Sequence, residues 1–134
     1  MSFLVVCSGL GMRETIRNIL TDLRFEAGFF CETAQQALGI LKGQRSKPRV
    51  VLCQARTVGM SAVELHDAMT ADGINIPFVM LSDRCADDSP SAEQRGIGIV
   101  GTDPIVMLTF KQVVAVAMAR PGMAVAPPQP ERVA

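Results

Sequence analysis

The sequence predicts an α/β domain: a doubly wound, five-stranded parallel sheet with helices on both faces. Three observations carry this. Val50-Val51-Leu52-Cys53 and Phe3-Leu4-Val5-Val6-Cys7 are unbroken apolar runs without alternation, the pattern of strands covered on both sides. Stretches of helical period follow such runs one for one. Each apolar run also stops abruptly on turn or polar residues, as at Ser8-Gly9-Leu10-Gly11, Gln54, Ser82 and Gly101-Thr102-Asp103-Pro104.

The elements follow in order. After Phe3–Cys7 and its glycine-rich turn, Ile16, Ile19, Leu20 and Leu23 recur at three- and four-residue spacing, while Arg13, Glu14, Arg17 and Asp22 take the other side. A weaker strand covers Glu26–Cys31, and Thr33 leads into a helix over Ala34–Lys42 with Ala37, Leu38 and Leu41 as its stripe and Gly43 as its stop. Val50–Cys53 is the central strand. In such sheets the chemistry lies beyond the carboxyl ends of the strands, so Gln54 and its spatial neighbours become the residues of interest.

Ser61-Ala62-Val63-Glu64 is a capping box opening a helix that carries Leu65, Ala68 and Met69 and ends by Gly73. Ile76–Leu81 is the fourth strand, with Pro77 near its start, where no ladder donor is yet needed. From Asp83 to Arg95 the chain offers no large apolar side chain. Ser89-Pro90 looks like a helix start, and with so little to bury we expect a short, mobile or displaced element. Ile97, Ile99 and Val100 mark a brief fifth strand, and a last helix covers about Val106–Ala119. Right-handed crossovers then favour a flavodoxin-like order, 2-1-3-4-5. The domain is expected over residues 1–120, and 121–134, rich in Ala and Pro, reads as an unfolded tail or linker.

Composition excludes several function classes. A chain of 134 residues buries roughly two-thirds of its unfolded surface. Thirteen Lys+Arg against 13 Asp+Glu give no electrostatic case for nucleic acid or an anionic membrane. No apolar run approaches the roughly 18 residues that span a bilayer, and Met1-Ser2-Phe3 shows no basic leader, so a cytoplasmic location is expected. Cys7, Cys31, Cys53 and Cys85 have neither zinc spacing nor the context of a disulfide scaffold. The six Phe are too dispersed to stack bases.

Order and spacing together carry a likeness. Phe3–Val6 with the turn and Met12–Leu20 after it, Gly59-Met60 with Val63-Glu64-Leu65, Ile76–Ser82, and Gly96 followed seven residues on by Asp103-Pro104 make the chain resemble the receiver domain of two-component response regulators, notably its single-domain, chemotaxis-type members. The resemblance spans Phe3 to about Ala119. It places the family's two metal-binding acids on Cys7 and Ser8, its phospho-accepting Asp on Gln54, its phosphate-sensing hydroxyl on Ser82, its Lys on Asp103 and its aromatic switch on Val100. The Asp103-Pro104 peptide is expected to be cis, as the family's Lys-Pro is.

The substitutions are chemically incompatible with the family's reaction. Magnesium wants carboxylate and water oxygens, and Cys7 with Ser8 offers a soft sulfur and a neutral hydroxyl. The amide of Gln54 accepts no phosphoryl group, and a carboxylate at Asp103 repels one. We therefore expect a receiver-like module without aspartyl phosphorylation, cofactor, magnesium or enzymatic activity. It would act by contact with a protein partner or a second copy of itself through the last strand and helix. Arg95, Ile97, Met107, Phe110, Lys111 and Val114 are the candidates for that face.

Gln54 either fills the vacated pocket, bonded to Ser8 or Ser82, or reads a ligand. The alternatives to the interaction module are a small-molecule or redox sensor using Cys7 and Gln54, and a regulatory domain cut from a larger regulator. Strand alternation points Cys53 away from Gln54, which counts against a Cys7–Cys53 redox pair. His66, alone of its kind, is expected to face solvent, and Asp83, Asp87 and Asp88 are expected to form a solvated acidic loop. Ser8-Gly9-Leu10-Gly11 lacks both the Walker lysine and dinucleotide spacing, and is read as a turn.

Overall fold

A computed structural model describes residues 2–43 and 48–119. The tail expected over 121–134 lies outside them. The order is β1 (Ser2–Val6), α1 (Leu10–Asp22), β2 (Glu26–Cys31), α2 (Ala34–Gly43), β3 (Val50–Gln54), β4 (Arg56–Thr57), β5 (Met60–Ser61), α3 (Ala62–Ala71), β6 (Phe78–Ser82), α4 (Cys85–Arg95), β7 (Gly98–Gly101) and α5 (Met107–Met118). The parallel sheet runs β2-β1-β3-β6-β7, which is the expected 2-1-3-4-5 once the antiparallel hairpin β4–β5 is set aside. That hairpin, turned at Gly59 with φ 84°, is an addition to the expected elements. Two-residue strands leave no periodicity to read.

Strand alternation divides the core between two faces. Leu4, Val6, Val51, Cys53, Phe78 and Met80 pack under α2, α3 and α4 with Ala37, Leu41, Leu65 and Met69. Phe3, Val5, Val50, Leu52, Val79 and Leu81 pack under α1 and α5 with Ile16, Leu20, Phe110 and Val114. All five residues of β6 are buried, and β3 is buried as far as Cys53. Each such Val or Leu contributes about 1.5–3 kcal/mol relative to exposure. The register pairs Val6 with Cys53, Gln54 with Leu81 and Ser82 with Gly101. The carboxyl ends of β1, β3, β6 and β7 thereby come side by side.

The helix starts depart from the sequence expectation in two places. Helix α1 begins at Leu10 with Gly9 as its N-cap, so Gly11 lies inside the helix rather than in the turn. Helix α4 begins at Cys85, not at Ser89, and carries Pro90 internally. It runs for eleven residues, longer than the short element expected, although only Ala92 is fully buried, and polar contacts described below hold it. The capping box is present as expected: Glu64 N–H donates to Ser61 Oγ at 3.1 Å and Ser61 N–H to Glu64 Oε1 at 2.8 Å. Helix α4 closes on Gly96 at φ 67°, a left-handed position that favours glycine. The Asp103–Pro104 peptide is cis.

Candidate functional site

Cys7 follows β1, Gln54 ends β3, Ser82 ends β6 and Asp103 follows β7, so four strand ends carry the residues singled out from the sequence. Gln54 is fixed to the β1–α1 turn. Its Oε1 accepts Ser8 N–H at 3.0 Å and the Ser8 hydroxyl at 3.3 Å. Of the two partners expected for Gln54, Ser8 is therefore the one engaged.

Ser82 is turned elsewhere. Its hydroxyl, buried at 1% exposure, donates to Asp88 Oδ2 of α4 and accepts Arg84 N–H at 2.9 Å. The Asp88 carboxylate also takes Arg56 Nη1 at 3.1 Å, while Arg56 Nη2 donates to Asp83 at 2.9 Å. Burial pushes the Asp88 carboxyl up, but the Ser82 hydroxyl and the Arg56 guanidinium outweigh it and leave the group below its ordinary range. Two of the three acids read as a solvated loop are thus bound to Arg56, and one reaches into the strand end. Asp103 stays exposed in the turn and Val100 is buried in the α1/α5 face.

Arg13 is a participant the sequence did not announce. From α1 its Nη2 donates to the Cys7 carbonyl at 3.3 Å and stands 3.5 Å from Glu32, while its Nε is buried without a partner. The carbonyl that closes the first strand end is therefore met by a guanidinium cation. Nothing in the helical pattern distinguishes Arg13 from the other charges on the polar side of α1.

The thiols are poorly placed for redox work. Burial pushes Cys7 up, with Arg13 offsetting part of the rise. Cys31 is raised to about 11, and Cys53 is raised further, both chiefly by burial. Cys7 belongs to the α1/α5 face and Cys53 to the opposite one, so the sheet separates the pair. Among the described residues no group of three or more His, Cys, Asp and Glu side chains is gathered as a metal site. Cys7 and Ser8, a soft sulfur and a neutral hydroxyl, do not fit magnesium.

The expected partner face needs correction at two positions. Phe110 and Val114 are fully buried against the sheet, because the packed stripe of α5 passes through them. Met107 and Lys111 are exposed and Ile97 half-buried. Arg95 is engaged by Asp67 of α3 through Nε at 2.9 Å and Nη2 at 3.0 Å. The outward large apolar residues of α5 are Met107 at 40%, Leu108 at 64% and Val116 at 53% exposure, with Val106 just before the helix. His66 is not solvent-facing either: its ring packs edge-on to Phe78 and its Nδ1 is buried without a hydrogen bond.

A five-stranded parallel sheet in this order, with its polar residues gathered at the carboxyl ends, is the receiver fold of response regulators, and solved structures bear this out. The receiver domain of a Francisella response regulator superposes with a TM-score of 0.74 at 13% identity, over 89% of this chain and 97% of that one. A receiver domain of a Pseudomonas aeruginosa sensor histidine kinase, solved with magnesium coordinated in its active-site cleft, gives 0.73 at 16% identity over 88% and 97%. The receiver domain of Erythrobacter litoralis PhyR gives 0.73 at 14% identity over 93% and 95%. No family model and no curated protein matches the chain. Among the described residues no helix is long and apolar enough to cross a membrane.

Proposed function

We propose that the chain is a signalling module of the two-component type that works without aspartyl phosphorylation, through contact with a protein partner or a second copy. One observation carries the reading. The position that resemblance assigns to the phospho-acceptor is an amide, Gln54, whose oxygen already accepts two hydrogen bonds from Ser8. An amide forms no acyl phosphate, and Ser8 holds it in place. The hydroxyl that resemblance assigns to phosphate sensing is occupied by Asp88.

The module is cytoplasmic, binds no cofactor, magnesium, nucleic acid or membrane, and is not an enzyme. Its contact face is built from β7 and the outer side of α5, with Leu108 and Val116 in place of Phe110 and Val114. A redox sensor built on Cys7 has less support, since burial disfavours the thiolate. Incubation with a small phosphodonor and Mg²⁺, followed by intact mass, should leave the mass unchanged. A gain of one phosphoryl group would refute the reading.

A further inference from the structure

A cavity of about 690 Å³ lies at the amino ends of β3 and β6, the opposite end of the sheet from Gln54. Pro48 and Arg49 lead into β3, and Ile76 and Pro77 lead into β6. The Val51 amide ties the two approaches together by donating to the Pro77 carbonyl at 2.9 Å. Ile74, Ile76 and Met118 extend the apolar wall. The two isoleucines belong to the core layer under α2, α3 and α4, and Met118, which ends α5, to the layer under α1 and α5, so both layers contribute to one wall. A concave space of about 300–1,000 Å³ with mostly apolar walls and a few polar groups has the make-up of a small-molecule site.

Charge selects the ligand. Among the described residues, the ionisable side chains lining the cavity are Lys42, Arg49 and Asp72. Lys42, in the last turn of α2, and Asp72, the C-cap of α3, answer each other at 3.4 Å. Arg49 is exposed and makes no hydrogen bond or ion pair with a described residue. The carbonyls that end α3 are met by the amides of Asp72, Gly73 and Ile74, so that helix end brings few unpaired acceptors of its own. Two cations against one anion leave a single positive charge, placed on the guanidinium. A guanidinium takes a carboxylate in a two-point bond. A phosphate group, at about −1.5 to −2, brings a second negative charge that Asp72 repels.

We infer that this cavity binds a small monocarboxylate with an apolar body, of the size of a medium-chain fatty acid, its carboxylate on Arg49 and its chain along Ile74, Ile76 and Met118. The site shares no residue with the Gln54 end of the sheet, and the inference does not depend on whether the chain takes phosphate.

Titration of the full chain with sodium decanoate, followed by amide proton–nitrogen correlation spectra, tests it. The amides of Arg49, Ile74 and Ile76 should shift and saturate, half-way below about 1 mM, while those of Ser8 and Gln54 stay in place. Decanol, which has the chain without the charge, and acetate, which has the charge without the chain, should each bind at least about tenfold more weakly. Arg49→Gln should weaken decanoate by about tenfold, the change for loss of one charge-assisted bond, and leave decanol unaffected. The comparison of decanoate with decanol on the wild-type chain stands even if the variant fails to fold. The inference is overturned by an absence of saturation, by shifts spread along the chain, by decanol or inorganic phosphate binding as tightly as decanoate, or by a folded Arg49→Gln variant that binds decanoate unchanged.

Discussion

Replacing Gly98 with alanine tests the seam that positions the outer face of α5. A Cβ built on Gly98 lies 2.5 Å from Val113 Cγ1, with Val79 Cγ2 at 3.8 Å and the Val113 carbonyl oxygen at 3.9 Å. Carbon atoms settle at about 3.5–4.0 Å, so the overlap is on the order of 1 Å against one methyl. That methyl is not at the far end of a flexible chain: Val113 is β-branched and keeps essentially one χ1 rotamer in a helix. Relief therefore requires β7 and α5 to separate.

Overpacking of this kind costs about 1–3 kcal/mol, and Gly98→Ala should fall near the middle of that range. Val113→Ala removes the opposing methyl at its own cost of about 1–2 kcal/mol. In the double variant the alanine at position 98 no longer meets an obstacle, so the summed losses should exceed the measured one by at least about 1 kcal/mol. Urea unfolding followed by far-ultraviolet circular dichroism is the assay, since the chain has no Trp or Tyr. A Gly98→Ala protein as stable as wild type, or a coupling below about 0.5 kcal/mol, would refute the packing reasoning.

Three further outcomes are expected. Phe110→Ala should lose about 3–5 kcal/mol in the same unfolding assay, whereas Leu108→Asp should stay within about 0.5 kcal/mol and, by light scattering, abolish any self-association through α5. Titration with an aromatic disulfide near pH 8 should modify Cys85 first, leaving Cys7, Cys31 and Cys53 unreactive until denaturant is added; rapid modification of all four would contradict their burial. His66 lies below its ordinary 6.5 because burial disfavours its cation, with Asp67 partly opposing. Its contribution is therefore present above pH 6.5 and lost as pH falls through the lowered value, and His66→Phe, which also removes the unpartnered Nδ1, should flatten that limb of a pH–stability curve.

Sheet order was legible because β1, β3 and β6 are covered on both faces, which leaves unbroken apolar runs that nothing else in a short chain resembles. The capping box announced α3 because both of its bonds are local. The start of helix α4 was misplaced for the opposite reason: the residues that engage its first turn through Asp88, namely Ser82 and Arg56, lie outside it and carry no periodicity. The phase of α5 was also hidden. Apolar residues surround that helix, so Phe110 and Leu108 look equally fit for either side until the sheet selects one. The identities at the strand ends could be read, but not their pairing, since Gln54 chooses Ser8 over Ser82 through contacts 46 residues apart in sequence.

The margins of the sheet limit how copies of this molecule can meet. On one side β7 is four residues long with a glycine at each end; on the other, β2 slips register against β1 between Phe3 and Leu4. Neither border presents the long, flat ladder that an incoming chain needs to prolong a sheet. Fibrillar growth by continued strand addition is thereby discouraged.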